Sequence, residues 1–267
     1  MLLVWDVLSG KQLQQTPTGE GFICCAATLW GDRVATGHDG GEIRVWSLRG
    51  GGGAASVLQG HTDPVNSLAV VGGGTAQHQR QLASCCFDNS VRLWDVDART
   101  CTAVMSWHTE SVMCLAYLGG RRLLSGSYDG SLRVWSMATG ACLAVVVPAD
   151  AHEAEAAAGG LIGAACAQPG GGAGTGSFGG SVQLWKWDDG ANALTPDGAA
   201  LQLEGVNVYS LAAAPAPGGA LQLLAGCNDS TLRVLSNGGA GGALQQQATL
   251  AGHSAVVRAL AVMALSE

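Results

Sequence analysis

The chain has 267 residues, enough to bury a substantial hydrophobic core, and its 48% hydrophobic and 12% charged residues argue against an intrinsically disordered protein. Its 41 glycines exceed what a helical protein carries, and they do not follow the strict triplet of collagen. The formal net charge of −7, with 13 lysine and arginine residues scattered along the chain, argues against direct binding of nucleic acid.

Targeting signals and membrane spans are not predicted. The opening residues, MLLVWDVLSGK, have no basic n-region and reach an aspartate at position 6. No window approaches the roughly 18 uninterrupted apolar residues of a membrane helix. The nine cysteines include no C-x-x-C pair, which favours reduced thiols over a disulfide framework. We therefore expect an intracellular protein, cytoplasmic or nuclear, without membrane partners.

One pattern recurs along the chain, a pair of apolar strands around a tight turn that ends near a tryptophan. In chain order the copies are LLVWDV (2–7, partial), VATGHDGGEIRVWSL (34–48), LASCCFDNSVRLWDV (82–96), LLSGSYDGSLRVWSM (123–137), GTGSFGGSVQLWKW (174–187) and LAGCNDSTLRVLSN (224–237). The anchoring residues, Trp5, Trp46, Trp94, Trp135, Trp185 and Leu235, are 41 to 50 residues apart. Short strands that repeat at this period indicate the blades of a β-propeller.

Each repeat is predicted to contain four short strands. In one of them these are PVNSLAVV (64–71), QLASCCF (81–87), SVRLWDV (90–96) and CTAVMS (101–106). Asp-Asn, Asp-Gly or a similar pair lies between the second and third strands, where a tight hairpin requires a positive φ or a side chain that caps its own turn. The nearly continuous apolar runs are typical of strands that are covered on both faces.

Two dipeptides frame the repeats, a Gly-His before the first strand and a Trp-Asp at the end of the third. They occur as Gly60-His61, Gly252-His253, Trp94-Asp95 and Trp5-Asp6. On these residues the chain resembles the WD-repeat family of β-propellers over essentially its whole length. The segment LLAGCNDSTLRVLS (223–236) also resembles the propellers of plant proteins that combine a zinc-finger segment with WD repeats.

The resemblance implies an all-β fold, a single β-propeller domain over residues 1–267. Five complete four-stranded blades are expected at about 19–59, 60–106, 107–149, 150–204 and 205–250. Strands within 1–18 and a first strand within 251–267, beginning near Val256, are expected to share a split sixth blade, because an open sheet would leave an edge unpaired. The second strand of that blade is expected after Glu267. We therefore expect a six-bladed propeller, or a fragment of a longer protein with seven blades.

The family's structural tetrad, in which His and Asp are tied through Ser and Trp, can be carried over to two repeats. It comprises His61, Ser84, Asp88 and Trp94 in one repeat and His108, Ser125, Asp129 and Trp135 in the next. The other repeats depart from the motif: Gly179 replaces the Asp, Ala225 the Ser and Leu235 the Trp, and the repeat near Gly19 lacks the His. We expect those blades to rely on packing alone.

Catalytic, cofactor and metal sites are not expected. The segment GTGSFG (174–179) satisfies G-x-G-x-x-G, but the residues that follow it predict a strand where a dinucleotide site needs a helix. His61, Ser84 and Asp88 could form a hydrolytic triad, yet the tetrad occurs twice, and its polar groups satisfy one another. The six histidines show no H-x-x-x-H spacing that would indicate zinc.

The resemblance implies that partners dock on a face formed by two positions per blade: the residue before the tetrad Asp, called the slot, and a bulge residue early in the first strand. The slots are His38, Phe87, Tyr128, Phe178 and Asn228, and the bulges are Cys24, Asn66, Met113, Gly163, Tyr209 and Arg258. Phe22 lies two residues before its bulge, so five of the six Phe and Tyr residues map to this face. This composition is typical of a binding hot spot. The alternative is that the rings only cover hairpin backbone.

We therefore expect a non-catalytic scaffold or adaptor that binds a peptide or protein loop through aromatic and apolar contacts, as part of a larger complex or longer chain. More specific roles remain open: the substrate receptor of a ubiquitin ligase, or an adaptor in an RNA or chromatin assembly. An enzyme would need convergent carboxylates, a metal cluster or a base–nucleophile pair, and the sequence indicates none.

Overall fold

The computed structural model describes residues 2–5, 9–19, 21–48, 54–72, 81–148, 160–168, 171–215, 221–238 and 242–260. These residues form 23 β-strands joined by turns and irregular segments, with no helix among them. In this part of the chain, accordingly, no helix has the length and apolar character needed to cross a membrane. Two compact units are distinguished, Met1–Trp107 and His108–Glu267.

The first unit contains ten strands in three antiparallel sheets. They are β1 (Leu2–Trp5), β2 (Gln12–Thr16), β3 (Ile23–Leu29), β4 (Arg33–His38), β5 (Ile43–Ser47), β6 (Ala54–Leu58), β7 (Val65–Val71), β8 (Gln81–Cys86), β9 (Val91–Asp95) and β10 (Thr100–Met105). Strands β1 and β2 pair with each other. Strands β3–β6 form a four-stranded meander, here called blade 1, and β7–β10 form blade 2.

The second unit contains thirteen strands. They are β11 (Val112–Gly119), β12 (Arg122–Ser127), β13 (Leu132–Ser136), β14 (Cys142–Val146), β15 (Ile162–Ala167), β16 (Ala173–Ser177), β17 (Ser181–Asp188), β18 (Ala193–Pro196), β19 (Leu201–Gln202), β20 (Val208–Pro215), β21 (Leu221–Cys227), β22 (Thr231–Ser236) and β23 (Gln245–Ala251). Blade 3 comprises β11–β14, blade 4 comprises β15–β19 and blade 5 comprises β20–β23.

The five blades confirm the predicted all-β architecture of repeated four-stranded meanders. In blade 4 the outermost strand is interrupted, so that β18 pairs with one end of β17 and the two-residue β19 pairs with the other. Each blade begins with an inner strand that pairs with the second strand, and the order then follows the chain outward. Hairpins of this kind need only short connections, which fits the antiparallel order.

The predicted sixth first strand is only partly within the described residues. Residues 252–260 do not form a strand, whereas 261–267 lie outside the described residues. The backbone N–H of Val257 nevertheless donates to the carbonyl of Cys227 at 3.2 Å, and the Ser210 hydroxyl donates to the carbonyl of Val257 at 3.0 Å. In blade 1 the Cys25 thiol contacts the carbonyl of Val65 at 3.2 Å in the same way. Val257 thus docks on blade 5 as the first residue of β7 docks on blade 1.

A glycine in the second strand makes room for the aliphatic side chain that begins the next blade. A Cβ atom added at Gly37 would lie 2.7 Å from Val65 Cγ1, and one at Gly176 would lie 2.5 Å from Val208 Cγ1. A Cβ atom added at Gly226 would lie 2.8 Å from Val257 Cγ1. Gly126 likewise meets Ile162 of blade 4. We call these four contacts the glycine seam. They let β-branched residues pack directly against a neighbouring strand's backbone.

Arginine–aspartate pairs add a second link between neighbouring blades of each unit. Arg33 at the start of β4 bonds Asp97 of blade 2 at 2.8 Å, and its guanidinium lies 5.2 Å from the Trp30 ring. Arg122 at the start of β12 pairs with Asp189 of blade 4 and lies 5.3 Å from the Trp187 ring. These pairs are partly exposed, so they contribute little to stability compared with the buried seam.

Replacement of Gly176 by Ala is expected to destabilise the protein by about 1–3 kcal/mol, because the new methyl group overlaps Val208 in a packed interior. Urea unfolding would measure the change. The variant Gly176→Ala/Val208→Ala is the control: the shortened neighbour relieves the overlap, so the loss should be smaller than the sum of the single losses. Additive losses would show that the two residues do not share this space.

Candidate functional site

A chain of hydrogen bonds ties the entry of blade 2 to its inner hairpin. Trp94 Nε1 donates to Ser84 Oγ at 2.8 Å, and Ser84 Oγ lies 2.7 Å from His61 Nε2. His61 Nδ1 lies 2.8 Å from Asp88 Oδ2. The indole can only donate, so the serine hydroxyl accepts from it, and the carboxylate can only accept, so His61 Nδ1–H donates to Asp88. In this tautomer Nε2 accepts from the serine hydroxyl. Every polar group of this set has a partner.

Blade 3 repeats the same chain with almost the same distances. Trp135 Nε1 donates to Ser125 Oγ at 2.8 Å, Ser125 Oγ lies 2.7 Å from His108 Nε2, and His108 Nδ1 lies 2.8 Å from Asp129 Oδ2. Ser131 Oγ also donates to Asp129 Oδ1 at 2.6 Å. The structure thus brings together all eight residues that the sequence assigned to two tetrads.

The tetrad carboxylates are held in their ionised form. Burial acts to raise the pKa of Asp88, but hydrogen bonds from His61 and Ser90 outweigh it and hold that pKa well below its usual range. The pKa of Asp129 is lowered in the same way by His108 and Ser131. Both aspartates are therefore internal acceptors that stabilise the fold above an acidic pH.

Blades 1 and 4 contain shorter polar ties, so the expectation that they rely on packing alone is wrong. Trp46 Nε1 donates to Thr36 Oγ1 and Trp185 Nε1 donates to Thr175 Oγ1, both at 2.7 Å. The sequence signal was a threonine in the serine position, whose hydroxyl can accept the same bond. Blade 5 has apolar side chains at both positions, the fully buried Ala225 and Leu235.

His38 does not lie in a slot, which corrects its assignment to the partner-binding face. It pairs with Ile23 across the sheet, as Cys86 pairs with Val65, and therefore ends the second strand. Its side chain is 0% exposed, with Nε2 lying 2.8 Å from Thr36 Oγ1. The slot of blade 1 is Asp39, whose N–H donates to the carbonyl of Phe22 at 3.1 Å. Reading Asp39 as the tetrad aspartate shifted the alignment by one residue.

The other four slots share one backbone contact. The backbone N–H of each slot donates to the backbone carbonyl of the residue just before the inner strand of the same blade. The N···O distances are 3.1 Å from Phe87 to Pro64, 2.9 Å from Tyr128 to Ser111, 3.0 Å from Phe178 to Leu161 and 3.1 Å from Asn228 to Asn207. The slot is thereby fixed beside the start of the inner strand. This contact places the slot and the bulge of one blade at the same end of its sheet.

Each inner strand has an irregularity in register at the predicted bulge. The shifts fall between Ile23 and Cys25, Val65 and Ser67, Val112 and Cys114, Ile162 and Ala164, and Val208 and Ser210. The intervening residues are Cys24, Asn66, Met113, Gly163 and Tyr209, and an extra residue of this kind re-aims its side chain. Arg258 follows Val257 in the segment that docks on blade 5 and is exposed.

Four side chains of the second unit form a continuous cluster, here called the aromatic row. The rings of Tyr128 and Phe178 have centroids 5.6 Å apart, and those of Phe178 and Tyr209 are 4.6 Å apart. The guanidinium carbon of Arg258 lies 5.7 Å from the Tyr209 ring. Blades 3, 4 and 5 each supply one ring. The row therefore exists only when these blades pack side by side.

Phe178 forms the base of the row, and its neighbours form the accessible surface. Its side chain is only 9% exposed, because it lies over the bulge glycine of its own blade. A Cβ atom at Gly163 would overlap the Phe178 ring. Tyr128 and Tyr209 are half-buried, and Arg258 is exposed. The sequence placed all four on one face but did not indicate that Phe178 would be covered.

The first unit has its own exposed aromatic side chains. Phe22 is 79% exposed and Phe87 is 39% exposed. The backbone N–H of Phe22 donates to Asp39 Oδ1 at 2.9 Å, just as the N–H of Asn207 donates to Asn228 Oδ1 at 2.8 Å in the second unit. Asn66 is half-buried and Cys24 is exposed. Asp39 and Asn228 thus cap the start of their inner strands, a role that the aromatic slots do not take.

Among the described residues, the side chains that come nearest to a metal or hydrolytic arrangement are bonded to one another. His61, Cys86 and Asp88 each bring a potential ligand atom within 4.8 Å of the others, but both His61 nitrogens already have partners within the tetrad. Burial raises the pKa of the Cys86 thiol to about 12, and the thiol is a metal ligand only when ionised. Ser84 is fully buried, so it lacks the access that a nucleophile needs. Strand β17 follows the glycines of 174–179, where a dinucleotide site would have a helix.

Replacement of Ser125 by Ala should cost more stability than replacement of Thr175 by Val. The first leaves two buried nitrogens, of His108 and Trp135, without a partner, and each costs about 1–3 kcal/mol. The second leaves only the indole of Trp185. Chemical denaturation of both variants would measure the difference. Equal losses would mean that the serine is not shared between His and Trp.

Acidification should destabilise the protein partly through His38. Burial, followed by the nearby charge of Arg44, lowers the pKa of His38 below its usual 6.5. The unfolded chain then binds a proton that the folded state does not, so stability falls as the pH drops below about 6.5. Urea unfolding at pH 7.5 and 5.5 should show a smaller loss for His38→Gln than for the wild type. The same loss in both proteins would contradict this.

Comparison with known proteins agrees with the repeats. The model of the family "WD domain, G-beta repeat" matches residues 53–95 and 99–136. The ribosome biogenesis protein WDR12 homolog of Nematostella vectensis is 30% identical over 127 residues, which are 46% of this chain and 29% of that protein. Periodic tryptophan protein 2 of Arabidopsis thaliana is 34% identical over 125 residues, 45% of this chain and 13% of that protein. The chain thus spans under a third of either relative.

A solved structure shows the same fold over nearly the whole chain. A chain in the crystal structure of the mitotic checkpoint complex superposes with a TM-score of 0.75 at 18% identity, covering 96% of this chain and 73% of that chain. The matched repeats, the two tetrads and the five meander sheets agree with one another. Residues 53–95 and 99–136 are therefore WD repeats, and the chain has the fold of a β-propeller.

Proposed function

We propose that the protein is a non-catalytic scaffold that binds a peptide or a protein loop, with the aromatic row as its principal contact surface. The observation that carries this proposal is the continuity of Tyr128, Phe178, Tyr209 and Arg258 across three blades. Tyrosine and arginine are enriched in binding hot spots, where rigid rings offer contact area at little cost in conformational entropy. The solved structure with the same fold is part of the mitotic checkpoint complex, and one relative is named a ribosome biogenesis protein, which fits a role among other proteins.

The polar chemistry of the blades supports a scaffold over an enzyme. The two histidines of the tetrads are each fixed between a serine and an aspartate, so neither is available as a general base toward a bound molecule. Their aspartates have depressed pKa values because of these bonds, which is the reverse of what a general acid requires. The tetrad of blade 3 stabilises the hairpin that carries Tyr128.

A second candidate is an adaptor in a ribonucleoprotein or chromatin assembly, inside the cell. It is favoured by the relative that is named a ribosome biogenesis protein. In this case too the contacts would be made to protein, because the net charge of −7 disfavours direct contact with a phosphate backbone. A substrate receptor of a ubiquitin ligase would use the same surface.

Removal of the row's accessible rings should abolish partner binding without unfolding the protein. The variant Tyr128→Ala/Tyr209→Ala, used as affinity bait in a cell extract, is expected to lose the proteins that the wild type retains, with a loss of about tenfold or more, because truncation of a hot-spot residue costs about 2 kcal/mol or more. Quantitative mass spectrometry would measure this.

Trp107→Ala provides the matched control, since that side chain is 66% exposed and belongs to neither the slots nor the bulges. Thermal unfolding of all three proteins should first show comparable midpoints. If the double variant retained the same proteins as the wild type, the row would not be the contact surface.

A further inference from the structure

We infer that the aromatic row recognises an extended peptide segment that carries an aspartate or glutamate side chain near an apolar side chain, with the carboxylate paired to Arg258. This inference rests on the proposed function and names the chemistry of the partner. It follows from the charge of Arg258, the distances between members of the row and the hydrogen bonds already made by the backbone N–H groups of the slots.

Arg258 is the charged member of an otherwise neutral surface. The other slot and bulge residues of the second unit are Met113, Tyr128, Gly163, Phe178, Tyr209 and Asn228. Arg258 is exposed, and within the described ranges, which extend to residue 260, it forms no ion pair. The guanidinium carbon lies 5.7 Å from the centre of the Tyr209 ring, a cation–π contact that holds the charge beside the row, and the planar fork of N–H groups suits a planar acceptor. A carboxylate is such an acceptor and can bind it with two parallel hydrogen bonds.

The aspartates of the neighbouring hairpins do not compete for this arginine. Asp129 is bonded to His108 and Ser131. Asp229 is bonded to Arg233 at 2.5 Å and to Thr231 at 2.6 Å. Both carboxylates are thus committed within their own blades. The positive charge of Arg258 is therefore left for a partner.

The rings beside Arg258 offer an apolar contact at a matching distance. Tyr128 and Tyr209 flank the buried ring of Phe178, and the successive steps along the row are 5.6, 4.6 and 5.7 Å. Alternate side chains on one face of an extended strand are about 7 Å apart. A segment lying along the row would therefore place an apolar side chain on Tyr128 and Phe178 about two to four residues from an acid at Arg258.

Burial raises the pKa of the Tyr128 phenol further above neutral pH, and the neighbouring Tyr209 adds to this while Arg258 opposes it. Near pH 7 the row thus carries no negative charge of its own that would repel an acidic partner. Its hydroxyl groups remain available as hydrogen-bond donors to the backbone of the segment.

The carboxylate is assigned to a side chain rather than to the end of a chain. Capture of a terminal carboxylate commonly uses a cluster of backbone N–H groups. At this face the N–H groups of Tyr128, Phe178 and Asn228 donate to carbonyls of their own blades, at 2.9 to 3.1 Å. The guanidinium of Arg258 is the charged donor of the row, and it can pair with an acid within a continuous segment.

Selection from two phage-displayed libraries of random 12-residue peptides would test the inference. In one library the peptides are embedded between flanking residues, and in the other they end in a free C-terminus. Sequences enriched on the wild type should share an acid about two to four residues from an apolar residue, and should come from the embedded library. Fluorescence anisotropy with one enriched peptide should then show affinity reduced about tenfold to a hundredfold by Arg258→Gln, and a smaller reduction by Arg258→Lys.

A peptide with its acid replaced by the amide is the matched probe. Its affinity should be low and should not change between the wild type and Arg258→Gln, whereas Tyr128→Ala should weaken both peptides. Enrichment of peptides that lack an acid but still need Tyr128 for binding would overturn the inference and leave the proposed function standing. Enrichment confined to the library with free C-termini would do the same. Absence of enrichment, or binding that is unaffected by Tyr128→Ala/Tyr209→Ala, would overturn both.

Discussion

The close approach of neighbouring blades depends on a missing side chain. Gly37, Gly126, Gly176 and Gly226 lie in the second strands at the same register, and each faces the β-branched residue that begins the next inner strand or, for Gly226, docks in its place. Any Cβ at these positions would overlap that residue, so the seam sets how near the blades come. Interiors packed at crystal density tolerate no such overlap without displacement.

The position of the candidate site follows from this seam. In β7, β15 and β20 the bulge lies one residue after the seam residue, as Tyr209 follows Val208, and the slot N–H donates to the carbonyl of the residue just before the seam residue. The contacts of the glycine seam therefore also position the slots and bulges of adjacent blades next to one another. Rings from three blades can meet at 4.6 to 5.6 Å because the strands beneath them are held close. In blades 2 and 3 the tetrads also hold the slot-bearing hairpins in place, because they bond each hairpin to the entry of its own blade.

Much of the site could be predicted because the repeat fixes register. Two tetrads, five bulges and four slots follow from aligning copies of one motif, and the structure places these residues accordingly. The sequence places His38 in a slot because Asp39 is the aspartate of that hairpin, whereas in the structure Gly40 occupies the position of the tetrad aspartate. The motif as serine alone does not predict the polar ties of Thr36 and Thr175, although the threonine hydroxyl accepts the same indole N–H.

The sequence by itself determined the fold class, since strand-length apolar runs, tight-turn residues and a recurring tryptophan are local signals that repeat at a blade's period. It also determined which residues occupy the slots and bulges of blades 2 to 5. Only the tertiary structure decided that Phe178 lies covered over Gly163 while Tyr128, Tyr209 and Arg258 form an accessible row. The contacts of the row join residues about 30 to 50 positions apart and depend on how one blade packs on the next, so no local sequence pattern predicts them.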